Sequence, residues 1–122
     1  MTTYDFSNQN AVVTGGAQGI GGAVTELLAA QGARIAIWDM DETIAQETAA
    51  RVGGGALAVQ VDISSWDSVQ AAMAKTVEAC GGVDILVNSA GIAGMNAPLA
   101  DYPVDEFCKI IDINLNGTFL VN

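Results

Sequence analysis

The sequence predicts an α/β fold, a doubly wound parallel sheet of strand order 3-2-1-4 in the part present, with helices on both faces. Three observations carry that prediction. Short β-branched and apolar runs alternate along the 122-residue chain with segments whose apolar residues recur at helical spacing. The composition, 51% apolar and only 6% aromatic with 14 glycines, suits strands covered on both faces, which read as continuous Ala, Val and Ile runs. Polar or glycine-bearing stretches close each run at Thr14–Gly21, Asp39, Asp62 and Asn88–Gly91, the strand ends at which such sheets bind ligands.

The first strand is Ala11–Thr14, and the glycine stretch Thr14-Gly15-Gly16-Ala17-Gln18-Gly19-Ile20-Gly21 joins it to a helix. Ile20, Ala23, Val24, Leu27 and Leu28 mark that helix's apolar face. Glycines remove the Cβ atoms that would hold a ligand off the backbone, and the first helical turn leaves N–H groups unpaired. A pyrophosphate would be stabilised there, the dipole contributing about 0.3 to 2 kcal/mol. The glycine spacing is G-x-x-x-G-x-G, neither G-x-G-x-x-G nor a P-loop, since no Lys-Ser or Lys-Thr follows. Glycine turns also join strands to helices without any ligand.

This helix ends near Gln31 and Gly32, and Ala33–Trp38 is the second strand. Asp39 closes it, 18 residues beyond Gly21, where a right-handed crossover sets a carboxylate beside the ribose of a nucleotide on the glycine turn. A cap or solvated charge in Asp39-Met40-Asp41-Glu42 is the plainer alternative. Glu42–Val52 forms the second helix, three glycines end it, and Leu57–Val61 makes the third strand. Asp62 and Ile63 follow, ahead of a helix starting near Ser64 or Ser65, so Asp62 could equally be a capping residue. Val69, Ala72, Met73, Thr76, Val77 and Cys80 lie on one face of that helix as core packing. Val83–Val87 is the fourth strand and runs straight into Asn88-Ser89-Ala90-Gly91. Ile92–Tyr102 is a loop. A long helix begins at Pro103 or Val104, burying Phe107, Ile110, Ile111, Leu115 and Phe119 with Asn114 on the same face. A buried amide without partners costs about 1 to 3 kcal/mol, so Asn114 needs a role, whereas Asn116 falls nearer the solvated face.

Thr14–Gly21 resembles TGxxxGIG, the cofactor turn of the short-chain dehydrogenase/reductase family, and Asn88-Ser89-Ala90-Gly91 is similar to that family's NNAG motif with serine in second place. The resemblance runs from Asn10 to Asn122 and implies the N-terminal portion of an NAD-binding Rossmann-type domain over residues 1–122. It implies that Gly15, Gln18, Gly19, Ile20 and Gly21 contact the cofactor pyrophosphate side, and that Asp39 accepts from the ribose hydroxyls. By the same resemblance Asp62 and Ile63 meet the adenine, while Asn88, Ala90 and Gly91 pass close over the cofactor, the Asn88 side chain holding the turn and backbone groups meeting the adenosine ribose. Asn114, within Ile113-Asn114-Leu115-Asn116-Gly117, matches the family's catalytic asparagine, which by this resemblance helps hold a water in a proton relay. NAD is expected over NADP, because Gly16 and Met40 offer no cation to a 2′-phosphate.

The implied chemistry is hydride transfer between nicotinamide and a secondary alcohol or ketone, with a 3-oxoacyl or sugar/polyol substrate, in a homo-oligomer (dimer or tetramer). The family's Tyr-x-x-x-Lys motif is absent, since Tyr4 is followed four places on by Asn8 and Tyr102 by Glu106. The chain therefore reads as the cofactor-binding first half of a dehydrogenase, catalytically silent alone. A non-catalytic nucleotide-binding module is the alternative. A methyltransferase is disfavoured, because Val13 and Thr14 stand where an acidic residue would precede the glycine turn.

Fourteen acidic against four basic residues give a net charge of −10, which disfavours nucleic acid and anionic membrane surfaces. No apolar run reaches the roughly 18 residues of a membrane span, and the polar start lacks signal-peptide features, so a cytoplasmic location is expected. Cys80 and Cys108 form no C-x-x-C pair, and the sequence has no histidine, so no metal site is expected. Both cysteines read as reduced and mostly structural.

Overall fold

Residues 2–122 are described by a computed structural model. Its strands are β1 (Asn10–Thr14), β2 (Arg34–Asp39), β3 (Leu57–Gln60) and β4 (Ile85–Asn88), all parallel, in the order β3-β2-β1-β4. Helices α1 (Gly19–Ala30), α2 (Glu42–Val52) and α3 (Trp66–Cys80) make the crossovers. A last helical stretch comprises α4 (Val104–Ile111), a π-helical segment (Asp112–Gly117) and α5 (Thr118–Val121). The expected strand order and the existence of every expected strand are thus found, with boundaries moved by up to two residues.

Period-two alternation splits the core into two layers. Ala11, Val13, Ile35 and Ile37 face α1 and α2, where they meet Ala17, Ala45, Val24 and Leu28. Val12, Ala36, Trp38 and Val59 face α3 and α5, where they meet Val69, Ala72, Leu120 and Val121. Register sets Thr14 opposite both Trp38 and Asn88, and Asp39 opposite Gln60. The carboxyl ends of the strands therefore finish in one row, and that row is the floor of the site.

Three expected faces differ from those found. On α1 the buried residues are Gly21, Gly22 and Thr25, while Ile20, Ala23 and Leu27 are exposed. The helix starts so close to the glycine turn that only glycine fits against it at position 21, and the helix settles with Val24 and Leu28 half-buried on the core and Ile20, Ala23 and Leu27 outward. On α3, Val69, Ala72 and Thr76 are buried, whereas Met73 and Val77 sit at the exposed rim. The last helical stretch packs through Ile113, Leu120 and Val121, and Gly117 is buried against Ile63. Phe107, Leu115 and Phe119 are exposed, Ile110 and Ile111 half-buried, and Asn114 is exposed rather than buried. A π-helical turn shifts the angular position of the residues beyond it, so a face drawn at a constant 3.6-residue period does not stay aligned. The expected loop also holds a single 3₁₀ turn, Leu99–Asp101. Cys80 is half-buried, and Cys108 is exposed, which removes the structural reading of Cys108.

Candidate functional site

A cleft of about 380 Å³ opens over the carboxyl ends of the strands. Its first wall is the glycine turn. Gly15 has φ +62°, and a Cβ there would stand 2.9 Å from the Cα of Ala90, so the β1 and β4 turns touch through bare backbone. Gly19 has φ +61° with open space where a Cβ would point, which leaves its backbone free to be approached from the cleft. A Cβ on Gly21 would overlap the carbonyl oxygen of Gly15, so α1 can begin directly against the turn only with glycine there.

Gln18 is extended at the N-cap of α1 and its side chain makes no capping bond, and no acidic residue occupies the first turn. The first amides of α1 accordingly have no acceptor within the helix, and the dipole's positive end meets the cleft. Backbone donors, a bare glycine surface and positive potential together fit a pyrophosphate.

Asp39 ends β2 half-buried at the cleft's edge. Its Oδ2 accepts from the Ala17 N–H at 3.2 Å and its Oδ1 from the Asp41 N–H at 3.0 Å. It is Asp41 that caps α2, accepting from the Ile44 N–H at 3.1 Å, so the capping alternative for Asp39 does not hold. The turn is also tied to β2 by the Gly15 N–H donating to the Trp38 carbonyl at 2.7 Å. Trp38, 2% exposed, lines the floor, and its indole N–H donates to Thr76 Oγ1 at 3.0 Å.

Over the opposite wall runs Ser89-Ala90-Gly91-Ile92. The hydroxyl of the buried Thr14 holds this turn, accepting from the N–H groups of Ser89 and Ala90, both at 3.1 Å. Sequence reasoning gave that task to the Asn88 side chain, which is exposed and makes no hydrogen bond to the turn among the described residues. The cleft thus brings together Gly15, Gln18, Gly19, Ile20, Gly21, Asp39, Ile63, Ala90 and Gly91. Trp38, Met40, Val61, Ser89, Ile92 and Ile113 join them, none expected from the sequence to contact the cofactor although each adjoins a predicted site residue.

Three predicted residues stand outside the cleft wall. Asn88 ends β4 beneath it. Asp62 lines an adjoining hollow that shares Met40 and Ile113 with the cleft, and its Oδ1 accepts from Ser64 N–H at 3.0 Å and Ser64 Oγ at 2.6 Å. Ser65 caps α3, its hydroxyl accepting from the Ser68 N–H, so Asp62 shapes the turn before the helix without being its cap. Asn114 stands behind Ile92. Its Oδ1 accepts from Ile92 N–H at 2.8 Å, and its Nδ2 donates to Ile92 O at 2.9 Å. A side-chain amide that satisfies both backbone groups of one residue acts as a clamp, so this exposed amide is paired after all.

A family model described as short chain dehydrogenase matches residues 9–122. The chain belongs to the short-chain dehydrogenase family. A 2-dehydro-3-deoxy-L-rhamnonate dehydrogenase (NAD(+)) of Sphingomonas sp. (strain SKA58) is 40% identical, covering 96% of this chain and 47% of the relative. Galactitol 2-dehydrogenase of Agrobacterium fabrum is 38% identical, covering 92% of this chain and 43% of that protein. A 3-ketoacyl-(acyl-carrier-protein) reductase from Brucella melitensis, solved in complex with NADH, superposes at a TM-score of 0.93 and 34% identity over 96% of this chain and 48% of its own. This short-chain dehydrogenase chain spans about half the length of the curated relatives it matches.

Proposed function

We propose that this chain is the NAD-holding part of a short-chain dehydrogenase that moves a hydride between nicotinamide and a secondary alcohol or ketone. The nicotinamide supplies the hydride chemistry when bound. What this chain contributes is binding and orientation: the amides of Gln18 to Gly21 for the pyrophosphate, Asp39 for the ribose, and Ile63, Ala90 and Gly91 against the adenosine. Asp62 and Asn88 complete the adenosine side from just outside the cleft. Asn114 serves the proton relay from behind the loop, through its hold on Ile92. The substrate class in this reading is a sugar-type or polyol alcohol, as the names of two relatives suggest, or a 3-oxoacyl ketone, as a structural neighbour's does. A homo-oligomer and a cytoplasmic location belong to the same reading. Among the described residues no helix is long and apolar enough to cross a membrane.

The observation that carries the proposal is the Asp39 carboxylate, oriented by two backbone N–H groups beside an uncapped helix start. It also supports NAD over NADP, since a 2′-phosphate against a fixed carboxylate is a like-charge contact costing several kcal/mol. Calorimetric titration tests both. NADH is expected to bind at least about 100-fold more tightly than NADPH, a difference of about 2.7 kcal/mol. Equal affinities would overturn the NAD assignment, and no binding of either would overturn the function. One sequence feature favours a non-catalytic nucleotide module for the chain by itself: neither Tyr4 nor Tyr102 is followed by a lysine at the fourth place. NADH binding by the complete protein without turnover of any secondary alcohol would support that second reading.

A further inference from the structure

Two threonines outside the cleft, Thr25 and Thr48, are 0% and 3% exposed. A helical threonine buried among apolar residues ordinarily donates to the carbonyl four residues back, as Thr76 does to Ala72 at 2.8 Å. Thr25 and Thr48 do something else. Thr25 Oγ1 donates to the carbonyl of Gly16 at 3.0 Å, and Thr48 Oγ1, from the middle of α2, donates to the carbonyl of Ala17 at 2.7 Å. Both acceptors belong to the glycine turn, and Thr48 is 31 residues away in sequence.

In a trans peptide the C=O and the following N–H point in opposite directions. Drawing the Gly16 carbonyl back toward α1 therefore turns the Ala17 N–H the other way, where it meets Asp39 at 3.2 Å. Drawing the Ala17 carbonyl back toward α2 turns the Gln18 N–H away from α2. Gln18 lines the cleft, and its N–H has no acceptor among the described residues. Were the Ala17 peptide to rotate, a carbonyl oxygen would replace that donor and repel an anion. We propose that Thr48, with Thr25 beside it, is a positioning residue of the phosphate cradle: its hydroxyl locks the peptide that aims the Gln18 N–H at the cofactor's pyrophosphate. This inference rests on the proposed dinucleotide function and extends it to a residue that touches no ligand.

The test compares ligands with and without phosphate on the same variants, by titrating 15N-labelled protein with NADH and with adenosine. Thr48→Val keeps shape and loses the donor. It is expected to raise the NADH Kd about fivefold to tenfold, the loss appropriate to one misaligned hydrogen-bond donor, while adenosine changes by less than about twofold. Thr48→Ser, which keeps the hydroxyl, is expected to restore NADH binding. Equal weakening of both ligands, no weakening of NADH, or failure of serine to rescue would overturn the proposal. If Thr48→Val does not fold, Thr48→Ala is read in its place, and unfolding of both would show that the hydroxyl serves stability alone. Wild-type protein that binds no NADH would overturn the proposed function and this inference with it, whereas insensitivity of the variants alone would overturn only the inference.

Discussion

Asp39 shows how much one side chain does here, because its carboxylate is bonded to the glycine turn and to the start of the next loop before any ligand arrives. Asp39→Asn keeps an oxygen that can accept from Ala17 but removes the charge. NADPH binding should therefore strengthen relative to NADH by about tenfold or more, measured as the ratio of the two Kd values. Asn114 is a residue whose type was legible and whose surroundings were not. Its place on the helical face of Phe107, Ile110, Ile111, Leu115 and Phe119 suggested burial, yet it is exposed and holds Ile92 through two hydrogen bonds. Asn114→Ala is expected to speed amide exchange at Ile92 by about tenfold, as two bonds of ordinary worth are lost, with NADH affinity changed less than about threefold. In the complete dehydrogenase, the proton-relay role requires turnover to fall while NADH affinity stays within that range.

Each element places its functional end by how closely it can approach the next. Glycine at position 21 lets α1 start against the carbonyl of Gly15, so Gly21→Ala must push the helix off the turn. A destabilisation of about 1 to 3 kcal/mol in urea unfolding is expected, together with loss of NADH binding. Strand β2 and helix α3 are joined by the indole N–H of Trp38 on Thr76, both buried. Thr76→Val leaves that donor unsatisfied and should cost about 1 to 3 kcal/mol, read in the same unfolding experiment. The strands were legible as elements because apolar runs of four to six residues between glycines have few other structures open to them. The buried faces of α1 and of the last helical stretch were not legible. A close approach through Gly21 and Gly22, and a π-helical turn at Asp112–Gly117, both break the regular period that a face prediction assumes.

At the scale of the whole molecule, β4 is an edge strand, with Leu86 36% exposed on it, and the last helical stretch shows Val104, Phe107, Leu115 and Phe119 to solvent. An unpaired parallel edge beside apolar side chains favours association. The 122-residue chain is expected to sediment as a concentration-dependent oligomer, and Phe119→Lys with Leu115→Lys should shift it toward monomer without altering the far-ultraviolet circular dichroism. A wild-type chain that stays monomeric across the concentration range would contradict this expectation.

By itself the sequence determined the α/β class, the strand order and which strand ends border the cleft, because hydrophobic period, glycine placement and crossover handedness are local or near-local properties. It also determined the family, through Thr14–Gly21 and Asn88–Gly91. Only the tertiary structure decided who holds those motifs in place. Thr14 rather than Asn88 supports the β4 turn, Asp41 rather than Asp39 caps α2, and Thr25 and Thr48 orient the glycine turn from behind. The reason is physical: a hydroxyl or carboxylate finds its partner by proximity in space, and 75 residues separate Thr14 from Ser89.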